Sequence, residues 1–215
     1  GTINMHSIFH VLVIALVLIL PAAQAAAGGD WLLMSDVSFS DIETEIGDAN
    51  FDGEINLITV APRLYLADSF YVDGSVSIGE GTISETDFEA TVFSLGGGLA
   101  MLDRINFVTG SGHELRVGLR YETSEVTLGE TQAEINPLFA DIAYSVGLGH
   151  GLSGFTEVSA DVENLADRFQ IGLGLHKHVA KGLLVSVGYE REQSYYSDLH
   201  SSTVSGFYLG AGYAF

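Results

Sequence analysis

The chain of 215 residues contains no cysteine, so no disulfide holds it together. It is nearly as poor in bases: eight Lys and Arg stand against 28 Asp and Glu, for a net charge of −20. Nucleic acid is excluded as a partner, because phosphate binding requires a basic face. From residue 28 onward no stretch reaches ten uninterrupted apolar residues, although 47% of the chain is hydrophobic. A bilayer-spanning helix needs about 20 such residues, so helical spans are excluded there. Helical periodicity is missing as well, since no window sustains a 3.6-residue repeat and the 26 glycines would weaken a helix.

What is present begins with a short apolar run. Met5, His6 and His10 lead into "VLVIALVLIL", then Pro21 and "AAQAAAGG". About ten apolar residues followed by small residues at A-x-A spacing form a secretory signal peptide, with cleavage predicted after Ala25 or Ala27. The run departs from the usual pattern in having no Lys or Arg before it. An uncleaved buried helix is the alternative. Residues 1–27 are therefore assigned to the signal peptide and upstream residues, and 28–215 to one exported domain. Export without disulfides suits the periplasm or outer membrane, where closure of a sheet supplies stability.

High apolar content spread in alternation points to strands. In "GFYLGAGYAF", Phe207, Leu209, Ala211, Tyr213 and Phe215 fall on one face, and Tyr208, Gly210, Gly212 and Ala214 on the other. The same alternation predicts strands over 31–40, 57–67, 70–79, 88–101, 114–123, 139–149, 155–163, 168–177 and 183–191, each near the ten residues a tilted strand needs to cross a membrane. Ten antiparallel strands put both ends on one side. The connections alternate in kind. "LADSF", "GHGLSG" and "HVAKGL" are short, and "LDRINFVTGSGH" is the longer member of that set. "SDIETEIGDANFDGE", "GEGTISETD", "TSEVTLGETQAEINP", "DVENLAD" and "EREQSYYSDLHSSTVS" are acidic and read as outer loops.

A soluble β-sandwich would alternate in the same way. Two features favour an up-and-down transmembrane barrel. Aromatics (Trp31, Phe70, Tyr121, Phe155, Phe169, Tyr189, Tyr195, Tyr213, Phe215) gather near strand ends, as interfacial girdles require. The opposite face carries both signs of charge, with Arg63, Arg116 and Arg120 available to Asp73, Glu114, Asp141 and Glu157, and a sandwich core has no room for these.

The terminal Tyr208, Gly210, Tyr213 and Phe215 resemble the β-signal by which bacterial outer-membrane barrels are recognised for assembly. With the signal peptide and strand meander, residues 28–215 resemble the small bacterial outer-membrane β-barrel family typified by OmpA-like domains. That resemblance implies outer-membrane location, contact with outer-membrane lipid and lipopolysaccharide, and handling by the barrel assembly machinery through the last strand. Typical members have eight strands, which is the alternative to ten.

Asp48, Asn50, Asp52 and Glu54, with Gly53 and Ile55, resemble the start of a calcium loop, because hard cations take several carboxylate and carbonyl oxygens around a glycine turn. Thr59 stands where that motif places a bidentate Glu. The bland reading is a polar hairpin tip in which Asp52 and Gly53 make the turn. Asp198 and His200 resemble half of an omptin protease site, for which only Glu43 and Glu45 could supply the acidic pair; His200 and Ser202 resemble part of a lipid A deacylase site, whose Glu is missing. A solvated loop histidine is the reading adopted, and the chain is expected to be no enzyme. His113, His150, His176 and His178 share no metal-ligand spacing. The expectation is a monomeric barrel with a structural or surface role through acidic outer loops, without a cofactor other than calcium. The alternatives are a narrow pore and a loop-borne hydrolase.

Overall fold

The computed structural model describes residues 31–66, 69–163, 168–180, 182–197 and 200–214. The assigned signal peptide and Phe215 lie outside these. Eleven strand segments follow one another: β1 (Trp31–Ile46), β2 (Ala49–Leu66), β3 (Phe70–Ile83), β4 (Thr86–Met101), β5 (His113–Leu128), β6 (Thr131–Ile135), β7 (Leu138–Gly149), β8 (Leu152–Asp161), β9 (Arg168–Ala180), β10 (Leu183–Ser197) and β11 (His200–Ala214). Every pairing is antiparallel, β1 is bonded to β11, and β4 is bonded to β5, so the sheet closes on itself. β6 pairs with one half of β5 and β7 with the other, the two lying end to end around Asn136 and Pro137. Proline has no N–H for the ladder, and the strand is interrupted there. The ring thus has ten strand positions, the number expected, and no open edge.

Alternation placed the faces correctly. Val37, Phe39, Phe93, Leu95, Leu119, Ile142, Leu173, Val187, Phe207 and Leu209 are exposed on the outside. Ser38, Ser40, Glu114, Arg116, Ser153, Ser159 and Ser186 are buried inside. Inward glycines make room for the larger inward rings. A Cβ on Gly188 would stand 2.3 Å from the Tyr208 ring, and one on Gly118 would stand 2.4 Å from the Tyr71 hydroxyl.

Three expectations require correction. The acidic stretches at the end away from the described termini, called here the far end, are not long loops. β1 and β2 stay paired from Trp31↔Leu64 to Ile46↔Ala49 and are joined only by Gly47 and Asp48. β3 and β4 are joined by Ser84 and Glu85, both at positive φ, as a two-residue type I′ turn requires. β5 and β6 are joined by Gly129 and Glu130. The reason is that the alternation continues past the apolar belt with its sense reversed, as described below. Second, Asp52 and Gly53 make no turn: both are in β2, paired with Glu43 and Ile42. Third, Phe155 belongs to no outer girdle but faces inward, its ring stacked 4.6 Å from that of His176. Residues 102–112 form the one longer connection at the terminal end, as expected, and it is folded. Ile105 is buried, Phe107 meets the edge of His176 at 5.9 Å, and Gly149 N–H donates to Gly110 O at 2.7 Å.

Candidate functional site

Two regions of the barrel carry charge. The first is the lumen at the level of the apolar belt. Arg63 Nη2 lies 3.0 Å from Asp73 Oδ2, on the neighbouring strand. Arg116 Nε lies 3.0 Å from Glu114 Oε1, and both side chains are buried. Its Nη2 lies 3.9 Å from Glu157 Oε2. Tyr65 donates its phenol proton to Glu114 at 2.9 Å. The guanidinium carbons of Arg63 and Arg116 stand 5.7 and 5.6 Å from the Tyr71 ring. One aromatic side chain therefore separates two cations, each facing its own carboxylate.

A second network lies one layer toward the far end. Arg120 reaches Glu122 at 2.7 Å and Asp141 at 3.2 Å, and donates to Gln170 Oε1 at 2.8 Å. Arg168 reaches Glu192 at 2.6 Å and Glu122 at 3.3 Å. Gln170 also donates to Glu192, at 2.8 Å. Phe139 is fully buried beneath this net, with the Arg120 and Arg168 guanidinium carbons 4.6 and 5.2 Å from its ring. Buried ions persist only where paired and hydrogen-bonded, and these are.

Arg63, Arg116 and Arg120 and the four acids expected to be available to them meet in the lumen, paired as Arg63–Asp73, Glu114–Arg116–Glu157 and Arg120–Asp141. Glu122, Arg168, Gln170 and Glu192 were not anticipated. Glu192 sits where an acidic stretch was read as loop, and Arg168 at the very start of the strand expected over 168–177. Glu122 shows inward alternation in the sequence, which is the signal that could have found it.

The second charged region is the far end itself, where the strands continue roughly 20 Å beyond the apolar belt, at about 3.3 Å per residue. Here the sense of the barrel wall reverses. The inside is apolar: Ile42, Ile55 and Ala90 are buried, with Leu57, Ile83, Phe88, Val126 and Val204 packed against them. The outside is acidic, and carboxylates stand directly opposite one another across hairpins, as Asp41↔Glu54 and Glu43↔Asp52 between β1 and β2, Glu80↔Glu89 between β3 and β4, and Glu125↔Glu134 between β5 and β6. All eight are exposed. Like charges in such positions destabilise a sheet unless something neutralises them.

The calcium candidates fall in this region. Asp48 is in the turn, while Asn50, Asp52 and Glu54 lie along the outer face of β2 at alternate positions. Alternate strand residues are about 6–7 Å apart, so the set does not wrap one ion as a loop would. Among the described residues no group of three His, Asp or Glu side chains is gathered as a metal-binding cluster. Glu43 and Glu45 point outward, away from the mouth. Asp198 and the side chain of His200 lie outside what is described. Of the assembly-signal residues, Tyr208 faces the lumen over Gly188, Tyr213 faces outward against Gly182, and Gly210 lies beside Ser35.

An outside that is apolar in a belt, a polar and ionic inside, and a closed antiparallel sheet together define a transmembrane β-barrel of the outer-membrane type. No protein-family model matches the chain. No curated protein matches it. Solved structures do. One is the translocator domain of the autotransporter NalP from Neisseria meningitidis, at 13% identity and TM-score 0.48, covering 98% of this chain and 97% of that one. Another is the outer membrane protease OmpT from Escherichia coli, at 10% identity and TM-score 0.48, covering 88% and 98%. A third is Ail, the attachment invasion locus protein of Yersinia pestis, at 15% identity and TM-score 0.39, covering 88% and 100%. At these identities the likeness is one of fold.

Proposed function

We propose that this chain is an integral barrel of the bacterial outer membrane, related to the small OmpA-like barrels, whose raised acidic rim is its working surface. The termini face the periplasm and the far end faces outward. The observation that carries this reading is the reversal of the wall, which turns the far end into a standing water-facing sheet rather than a set of flexible loops. Its role is structural or one of surface interaction, not catalysis.

The opposed carboxylates begin where the exposed apolar belt ends, and this reading sets them beside the phosphates of lipopolysaccharide. Divalent cations, calcium among them, bridge the two and remove the like-charge repulsion. A monomer suffices, because β1 and β11 close the sheet and leave no edge to pair. The last strand carries the assembly signal in Tyr208, Gly210, Tyr213 and Phe215. A narrow pore is the weaker alternative: Tyr65, Ile105 and Leu184 are buried at the terminal end, and the far end is packed with aliphatic side chains.

The test is flotation of the purified barrel with vesicles containing lipopolysaccharide, with and without calcium. Calcium is expected to strengthen association at least several-fold for the native chain, and not for a chain carrying Asp41→Asn, Glu43→Gln, Asp52→Asn and Glu54→Gln. Equal association of both chains would overturn the reading. Conductance in planar bilayers would revive the pore.

A further inference from the structure

Around the ring, the three adjacent strands β1, β11 and β10 carry no inward-facing arginine or lysine among the described residues. Arg63, Arg116, Arg120 and Arg168 come from β2, β5 and β9, and their partners Asp73, Glu114, Glu122, Asp141, Glu157 and Glu192 are accounted for above. Asp36 of β1 and Glu190 of β10 also face inward, yet no arginine or lysine forms an ion pair with either among the described residues. Both flank β11, and each stands across a β11 glycine from a serine. In register, Glu190, Gly206 and Ser40 form one row, and Ser186, Gly210 and Asp36 another.

The serines supply the independent observation. Ser40 and Ser186 are only 4% and 5% exposed, and neither hydroxyl has a hydrogen-bond partner. Each hydroxyl leans over the glycine toward its acid's side of the row. A Cβ on Gly206 would stand 2.3 Å from Ser40 Oγ. One on Gly210 would stand 2.5 Å from Ser186 Oγ and 3.0 Å from Asp36 Cβ. Buried hydroxyls are rarely left unpaired without a ligand or water to complete them. Gly172 and Gly206 flank Glu190 in its own row, so its side chain stands in open space, and it counts as exposed although it points into the barrel.

We infer that the β1–β11–β10 wall carries two lumenal troughs for hard metal cations, Glu190 with Ser40 in one and Asp36 with Ser186 in the other, four residues apart along β11 with the inward Tyr208 between them. Carboxylate and hydroxyl oxygens, with waters completing the shell, are the donor set that calcium, magnesium or a similar ion takes. A cation in each trough supplies the positive charge that these three strands lack and gives each serine a partner. It also explains glycine at 206 and 210, where any side chain would fill a trough. These troughs are separate from the outer acid pairs and stand or fall apart from them.

The experiment uses the full barrel in detergent, stripped with chelator, and measures calcium binding by calorimetry and the rise in unfolding temperature on adding calcium. A background carrying Glu43→Gln and Asp52→Asn thins the outer surface sites. In that background a stoichiometric binding phase is expected to persist, and Glu190→Gln with Asp36→Asn is expected to weaken it at least tenfold and abolish the temperature rise. Ser40→Ala with Ser186→Ala is expected to weaken it by a smaller factor. Binding unchanged by the Glu190 and Asp36 substitutions would overturn the site. So would stabilisation by those substitutions in a native chain that binds no calcium at this phase, which would show that the acids are simply held protonated. If the substituted chains do not fold, native chain titrated with terbium decides: tyrosine-sensitised luminescence displaced by calcium is expected from an ion beside Tyr208, and its absence would overturn the proposal.

Discussion

Within a single strand such as β2 the chain builds two opposite kinds of wall. Near the terminal end, Ile58, Val60 and Leu64 face out while Thr59, Arg63 and Tyr65 face in. At the far end Asp52, Glu54 and Asn56 face out while Ile55 and Leu57 face in. The backbone, its hydrogen bonds and its register are continuous across the change. Only the side-chain pattern reverses, and it reverses because the outer solvent does. Where the wall meets lipid, apolar groups are cheapest outside and the lumen is held by ion pairs. Where it meets water, the hydrophobic effect returns and apolar groups go inside. The lesson is that one closed sheet serves two solvents, with a core of a different kind in each.

The largest way to break this comparison is to attack the belt-level core. Arg120→Ala leaves Asp141 without its cation and Glu122 with Arg168 alone, and is expected to cost about 3–5 kcal/mol in urea unfolding from vesicles. Next comes the outer wall. Leu119→Arg places a charge against hydrocarbon and is expected to cost about 2–4 kcal/mol, whereas Thr127→Arg, farther along the same face of β5 and opposite Glu89, is expected to cost nothing measurable. The far-end core ranks third. Ile55→Ala removes a buried aliphatic group and is expected to cost about 2 kcal/mol, read as earlier thermal loss of the far-end amide protection with the belt intact. The smallest effect sharpens the account: Glu43→Lys, opposite Asp52, is expected to stabilise by about 0.2–1 kcal/mol in calcium-free buffer, with the gain vanishing when calcium is added.

The belt was legible in the sequence because period-two alternation of bulky and small residues is a direct image of two faces. It fixed the outward positions of Leu115, Val117, Leu119 and Tyr121 and the inward ones of Arg116 and Arg120 residue by residue. The far end was misread because acidity was taken for loop. The signal was there: in "SDIETEI" and "DGEINL" acids alternate with Ile42, Ile55 and Leu57, a half-buried strand with the polar face out. The ion pairs between adjacent strands were partly legible for the same reason. The contacts of Arg120 with Gln170 and of Arg168 with Glu122 were not, because they cross the lumen between strands whose proximity is set only when the barrel closes. Phe155 misled because an aromatic near a strand end suits a girdle and a lumenal stack equally, and one residue of register decides between them.

The central claim is that the outer wall changes solvent partway along each strand. The chain has no cysteine, so single cysteines placed at Leu95, Leu119, Glu89 and Glu125 can each carry a spin label without background. In lipid vesicles, labels at 95 and 119 are predicted to be relaxed by oxygen and shielded from a water-soluble nickel complex, and labels at 89 and 125 to show the reverse. Equal access of the nickel complex to all four would contradict the account, because the belt would then face water and the barrel would not be in the membrane.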